Sequence, residues 1–258
     1  MSITYDHSRN SHSVTAAQEV MPLVIEDLAP ASVLDVGCGI GTWLVATRAL
    51  GVPETQGIDG IDLRGGGLLV PPEIFSVVNL EGRWDLRREF DLAICLEVAE
   101  HLPASAAATL IECLCRHSRN VLFSAAAPSQ PGQSHINCQW PEYWQELFNL
   151  NGFTCVDSIR PRIWFNEAID PWYRQNVFLA QRDRRTAGSE VRIRGMIHPA
   201  MMPHLLEGMM RDTRDRFAAE LSSGDLGLHL YVESIRGALK YVVKRTCRRL
   251  GVPTRNTY

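Results

Sequence analysis

The chain is predicted to fold as an α/β protein, a doubly wound parallel sheet with helices on both faces, and three observations carry that expectation. Short apolar runs alternate with helical patterns through the first two thirds of the sequence, joined by short loops. Residues 32–36 pass through a glycine-rich turn directly into a helical pattern that begins at Thr42. Residues 90–96 are almost wholly apolar, the composition of a strand covered on both faces.

Taken in order, residues 14–28 place Val20, Leu23, Val24 and Leu28 at helical spacing, and Pro30 stops the helix. In such a fold a leading helix is expected to cover the site. Residues 32–36 form the first strand, and the helix that follows ends at Gly51-Val52-Pro53. Residues 55–58, 74–78 and 90–96 read as the next three strands. A helix from 104 to about 115 precedes a fifth strand at 120–124, and another helix spans 140–150. Residues 153–159 and 176–180 close a sheet of seven strands. The polar stretch 182–190 marks a boundary, so residues 1–183 are expected as one domain and 184–258 as a helical extension. Helices are expected there at 201–221 and 228–250. In the second, Leu228, Val232, Ile235, Leu239, Val242, Val243 and Leu250 fall within an arc of about 100°. Arg236, Lys240, Lys244, Arg245, Arg248 and Arg249 occupy the rest.

The length of 258 residues suits one full α/β domain plus an appendage. Apolar content of 45% and charged content of 21% are ordinary for a soluble protein. A net charge of −3 gives no reason to expect nucleic acid as a partner. Seven cysteines without a C-x-x-C pair read as reduced intracellular thiols, so a cytoplasmic location is expected. Residues 1–13 lack the apolar core of a signal peptide, and no apolar run approaches the roughly 18 residues of a membrane span.

The turn itself reads Asp35-Val36-Gly37-Cys38-Gly39-Ile40-Gly41-Thr42. Because position 42 is Thr, the dinucleotide pattern G-x-G-x-x-G fails. An acid beside the turn would repel a pyrophosphate, whereas it suits a sulfonium that carries an ammonium group. That chemistry favours S-adenosylmethionine (SAM) over NAD, held by Asp35, Gly37, Cys38, Gly39 and Gly41. Asp59 lies 18 residues beyond Gly41, near where a second-strand acid receives the ribose hydroxyls of a nucleoside. Methyl transfer to a hydroxyl also needs a base, most simply a histidine at neutral pH. His101 follows the fourth strand, and His135 lies in the long loop after the fifth. That loop also carries Asn137, Gln139 and Trp140, amides and an aromatic face suited to a polyhydroxylated acceptor. Between the last two strands, Trp172 could line the acceptor pocket and Arg174 could meet an anionic group.

The motif Val33-Leu34-Asp35-Val36-Gly37-Cys38-Gly39-Ile40-Gly41-Thr42-Trp43-Leu44 resembles motif I of the class I SAM-dependent methyltransferases. With Leu96-Glu97-Val98-Ala99-Glu100-His101-Leu102-Pro103, Phe123-Ser124-Ala125-Ala126 and Asn137-Cys138-Gln139-Trp140-Pro141-Glu142-Tyr143-Trp144, the chain is similar to one branch of that superfamily from about residue 10 to 181. The resemblance implies a Rossmann-like, mostly parallel sheet whose seventh strand is antiparallel. It adds Asn79, where relatives often have Asp toward the adenine amino group, and Glu97 to the cofactor set. The branch is often associated with bacterial surface-polysaccharide or glycoconjugate pathways, which implies a sugar hydroxyl as acceptor. Glu97, Glu100 and His101 form E-x-x-E-H, similar to a pattern linked to a divalent metal in quinone-pathway O-methyltransferases. No metal is expected in the leading reading, and these three residues stand as its alternative.

Competing functions are a SAM-binding scaffold without turnover, a methyltransferase of another hydroxyl such as a quinone-like one, and a nucleic-acid methyltransferase. The last is disfavoured because Leu96-Glu97-Val98-Ala99 stands where an Asn/Asp-Pro-Pro-aromatic motif belongs. The basic C-terminal helix could pack on the catalytic domain or a second copy in a homodimer. It could instead dock on an anionic membrane surface, or bind an acidic polymer.

Overall fold

The computed structural model describes residues 5–7, 13–223 and 228–249. Seven strands form one sheet in the order β3-β2-β1-β4-β5-β7-β6. They are β1 (Ser32–Val36), β2 (Glu54–Asp59), β3 (Phe75–Val77), β4 (Leu92–Leu96), β5 (Asn120–Ser124), β6 (Phe153–Val156) and β7 (Phe178–Arg182). The first five strands pair in parallel, and β7 runs antiparallel between β5 and β6. The expected doubly wound, mostly parallel sheet is therefore what the chain forms.

Alternation along the central strands explains the two covering layers. Leu92, Ile94 and Leu96 of β4 join Val33 of β1 in a cluster with Val20, Met21 and Val24 of α1 (Thr15–Leu28) and Trp43 of α2 (Thr42–Ala49). Ala93 and Cys95 point to the other face. There they pack with Leu110 and Leu114 of α3 (Ala107–His117) and with Trp144 and Phe148 of α4 (Pro141–Leu150). The leading helix thus covers one face of the sheet, and it is Tyr5 and His7, ahead of it, that reach the functional cleft described below.

The bounds of β2, β3, β4, β6 and β7 differ from expectation, and at two of these ends the reason is local. β6 stops at Val156 because Asp157 forms an ion pair with Arg160, which opens the short helix α5 (Arg160–Ile163). β7 starts at Phe178 because Pro171–Asn176 forms a helix, α6, with proline at its first turn.

Two compact units are present, Met1–Leu205 and Leu206–Tyr258. The first extends past the boundary expected after residue 183. Glu190 accepts hydrogen bonds from Gln145 Nε2 (2.9 Å), Asn149 Nδ2 (2.6 Å) and the Cys155 amide (3.1 Å). Burial raises that carboxyl, but the donors outweigh it and hold the pKa at about 2. Ile193 and His198 are likewise buried, and their amides bond to Gln145 Oε1 and Gln175 Oε1. A polar composition concealed this strap, because its polar groups are used inward.

The chain continues through α7 (Met202–Ser223), and in the second unit α8 covers Leu228–Arg249. Val232, Ile235, Leu239 and Val242 of α8 are exposed, Ile235 and Leu239 at 60%. The side chains of Leu228 and Val243, and residue Leu250, lie outside what is described. Among the described residues no helix is long and apolar enough to cross a membrane.

Candidate active site at the β1–β4 crevice

The chain leaves β1 toward β2 on one side, while β4 lies on the other, so a crevice opens beyond their carboxyl ends. A cleft of about 570 Å³ sits there, within the usual size of small-molecule sites. Gly37, Asp59, Asn79, Glu97 and His101 all line it. The sheet order brings these positions together from four separate strand ends.

The turn after β1 requires glycine twice over. Gly37 and Gly41 adopt φ of 73° and 91°. A Cβ on Gly37 would lie 2.4 Å from Val98 Cγ2, and one on Gly41 would lie 2.9 Å from Val70 Cγ2. Asp59 braces the turn, accepting from the Gly39 amide through Oδ2 and from the Ile61 amide through Oδ1, both at 2.9 Å. Each carboxylate oxygen can accept a further donor from a ligand.

Asp35 is buried under the turn, and its Oδ2 has no hydrogen-bond partner among the described residues. Burial, then the nearby charge of Asp59, pushes its carboxyl up to about 8. A cationic group beside it would reverse that displacement. Gly37 and Asp59 line the cleft and fit backbone approach and the ribose of SAM, whereas Asp35, the orphaned acid, is not part of the cleft wall. Cys38 does not take part through its side chain. Its thiol packs with Leu44, Val70 and Phe75, and burial raises its pKa further still. Asn79 Oδ1 already accepts from the Glu81 amide at 3.0 Å, leaving one lone pair and the NH₂ for a ligand.

Glu97 sits one residue past β4 with φ of +54°, a strained conformation for a non-glycine residue. Its carboxylate is clamped from behind. Gln130 Nε2 donates to Oε2 at 2.8 Å and Asn176 Nδ2 donates to Oε1 at 3.3 Å. Asn176 Nδ2 also donates to Gln130 Oε1 at 2.9 Å, and the Glu97 amide bonds to Ser124. Gln130 and Asn176 are buried and were not singled out from the sequence. No local motif signals them, because they are brought together by the adjacency of β4, β5 and β7 rather than by spacing along the chain.

His101 closes a 3₁₀ turn after β4 and lines the cleft, whereas His135 is not in the cleft wall. The two rings meet edge to face with centroids 5.0 Å apart, and Tyr5 meets His101 on another side at 4.8 Å. His135 Nδ1 lies 3.0 Å from Gln130 O and donates to it, which leaves Nε2 as the acceptor nitrogen. The loop is pinned by the Ile136 and Asn137 amides, which both donate to Glu100 O at 2.9 and 3.0 Å. Burial, with His135 as the next cause, lowers the His101 pKa to about 4. Burial lowers His135 as well. Both imidazoles are therefore neutral near pH 7 and hold lone pairs.

The expected acceptor residues are distributed differently. Asn137 is buried, and its Oδ1 accepts from Gln139 Nε2 at 3.2 Å. Gln139 and Trp140 line a separate concavity of about 400 Å³ with Glu142, Tyr143 and Gly195. Trp172 packs on Tyr173 and His204 at 6.0 and 6.5 Å between ring centroids. Arg174 is buried, with Nη1 3.5 Å from Trp164 O and Nε without a hydrogen-bond partner among the described residues.

A family model described as a methyltransferase domain matches residues 5–160. The fold is also that of KedS8, a sugar N-methyltransferase from a Streptoalloteichus species. It is 16% identical with a TM-score of 0.52, over 68% of this chain and 90% of that one. DesVI of Streptomyces venezuelae is 12% identical with a TM-score of 0.51, over 65% of this chain and 91% of that one. No curated protein matches the sequence. The family match spans the glycine turn, the acid at the β2 end and the Glu97–His101 segment, so the chain belongs to the methyltransferase-domain family and is a SAM-dependent methyltransferase.

Proposed function

We propose that the protein O-methylates a sugar hydroxyl in a glycan, glycolipid or glycosylated small molecule, with His101 receiving the hydroxyl proton. The observation that carries this reading is the pair of neutral imidazoles at the cleft, only one of which reaches the wall. When bound, SAM supplies a methyl group on a positively charged sulfur and needs no further activation. Asp59 receives ribose hydroxyls, Asn79 faces the adenine and Asp35 takes the ammonium. Glu97, fixed by Gln130 and Asn176, presents its carboxylate at the junction of cofactor and acceptor. His101 takes the proton from the acceptor, and His135 supports it edge-on. Of the two candidate histidines, the one in the turn after β4 is thus the base, with His135 as a positioning residue. The concavity of Trp140, Tyr143, Gln139 and Glu142 offers aromatic faces and hydrogen-bonding groups suited to a further sugar of the acceptor. Transfer of a labelled methyl group from SAM to a panel of sugar-bearing acceptors, against quinol and amine controls, tests the proposal.

We further infer that α8 meets an anionic membrane surface, where glycolipid acceptors are found. Exposed Val232, Ile235, Leu239, Tyr241 and Val242 support this, together with six basic side chains against the single acid Glu233 within Leu228–Arg249. The described cysteines are free thiols, which supports a reducing, cytoplasmic setting.

A further inference from the structure

Glu100, His101 and His135 each offer a ligand atom, and the three atoms lie within 4.8 Å of one another. Glu100 is completely buried. Neither of its oxygens makes a well-formed hydrogen bond, although the Glu97 carboxyl and the Ala126 amide lie near. His101 Nδ1 is also buried without a hydrogen-bond partner. His135 has committed Nδ1 to Gln130 O, so its remaining nitrogen, Nε2, is the one with a lone pair to give.

The two Glu100 oxygens and His101 Nδ1 are buried here without a well-formed hydrogen bond among the described residues, beside the accepting nitrogen of His135. A buried carboxyl and imidazole left in that condition are costly unless a proton or a metal ion sits between them, and burial holds the Glu100 carboxyl well above the ordinary carboxylate range. Backbone geometry holds the arrangement. Glu100 and His101 share one 3₁₀ turn, and the Glu100 carbonyl accepts from the Ile136 and Asn137 amides, which fixes the His135 loop against that turn. Gly132 lies so close that a Cβ there would fall 2.0 Å from His135 Nε2, so the loop backbone holds the ring in place.

We propose that Glu100, His101 and His135 form a seat for one divalent transition-metal ion beside the methyl-transfer cleft. Two imidazoles and one carboxylate suit Zn²⁺, Co²⁺, Mn²⁺ or Fe²⁺, whereas Ca²⁺ and Mg²⁺ prefer all-oxygen sets. Zinc–nitrogen bonds of about 2.0–2.1 Å place neighbouring ligand atoms roughly 3–3.5 Å apart, so the three side chains must close by about 1.5 Å on loading. His101 also lines the cleft, which provides the entry path. Glu97 is not a member, because its carboxylate is already held by Gln130 and Asn176. The set therefore differs from the E-x-x-E-H reading by the exchange of Glu97 for His135. An ion in the seat occupies one His101 nitrogen, so metal binding and proton acceptance at that nitrogen exclude one another.

The test uses full-length protein treated with a chelator and then titrated with Co²⁺, followed by visible absorption, with Zn²⁺ calorimetry in parallel. One ion per chain should bind, and excess Mg²⁺ should not displace it. His135→Gln and Glu100→Gln should each weaken binding roughly 100-fold, while His204→Gln leaves it unchanged and Glu97→Gln, which removes a nearby charge but no ligand, weakens it far less. Circular dichroism identifies a variant that has not folded. Should Glu100→Gln fail that check, the His135→Gln comparison stands by itself. Absence of stoichiometric binding by the unaltered protein overturns the proposal, as does equal binding by His135→Gln or loss of binding in Glu97→Gln.

Discussion

Gln130 Nε2 donates to Glu97 Oε2 at 2.8 Å, across 33 residues of sequence. That bond holds a carboxylate in the cleft wall on a backbone with φ of +54°. Gln130→Ala should therefore act at the site and on the fold together. A loss of roughly 1–3 kcal/mol of stability is expected from the unpartnered groups, along with weaker SAM binding. Urea denaturation and calorimetry check both. A variant as stable as the parent, with unchanged SAM affinity, would show that the clamp has no such role.

Asp59 holds the Gly39 amide as well as a candidate ribose position. Asp59→Asn keeps one oxygen acceptor and removes the charge. SAM affinity should fall by about 1.5–3 kcal/mol, measured by calorimetry on protein shown to be folded. Unchanged affinity would remove Asp59 from the cofactor site.

If Asp35 takes the SAM ammonium, SAM binding should depend on pH. The Asp35 folded-state pKa of about 8 exceeds the ordinary carboxyl value, so the free protein holds a proton there that a bound ammonium must displace. Affinity should rise from pH 6 toward 7.5, by up to about tenfold per pH unit, and level off as the ammonium itself titrates near 7.7–8.0. The sign for stability is the opposite. The folded chain binds more protons at Asp35 than the unfolded chain between about pH 4 and 8, so stability without SAM falls as pH rises through that window. Asp35→Asn should flatten both profiles. A SAM affinity in the unaltered protein that does not change with pH would contradict the assignment.

The membrane inference for α8 predicts pelleting of full-length protein with phosphatidylserine-containing vesicles at low salt. Raised salt should release it, because the attraction, about 1 kcal/mol per basic side chain, is screened. Arg236→Glu with Lys240→Glu should reduce pelleting. No pelleting at low salt would defeat the idea, and a doubled mass in solution would assign the apolar stripe to a second copy.

Much of the fold was legible because each central strand is a short apolar run closed by a turn signal. β1 and β5 have the expected bounds, and the acid-and-glycine turn leads straight to the crevice. The Glu97 clamp was not legible, since Gln130 and Asn176 meet only through the order of β4, β5 and β7. The strap at Glu190 and Ile193 was missed for a related reason. Its polar side chains are spent on the domain surface, so composition alone read it as a linker. Within the acceptor loop, Asn137 Oδ1 is engaged by Gln139 while its Nδ2 has no partner among the described residues, a burial that loop composition could not show.

The central claim, that His101 takes the proton from a sugar hydroxyl, is tested most directly by the rate of labelled-methyl transfer in His101→Ala and His135→Ala at saturating SAM. His101→Ala should cut kcat by about 10²–10⁴-fold with SAM affinity retained. His135→Ala should cost less, because it acts through His101. With a His101 pKa near 4, the rate of the unaltered protein should hold on the acid side to well below pH 6. Full turnover by His101→Ala on a sugar hydroxyl, or loss only in His135→Ala, would contradict the account.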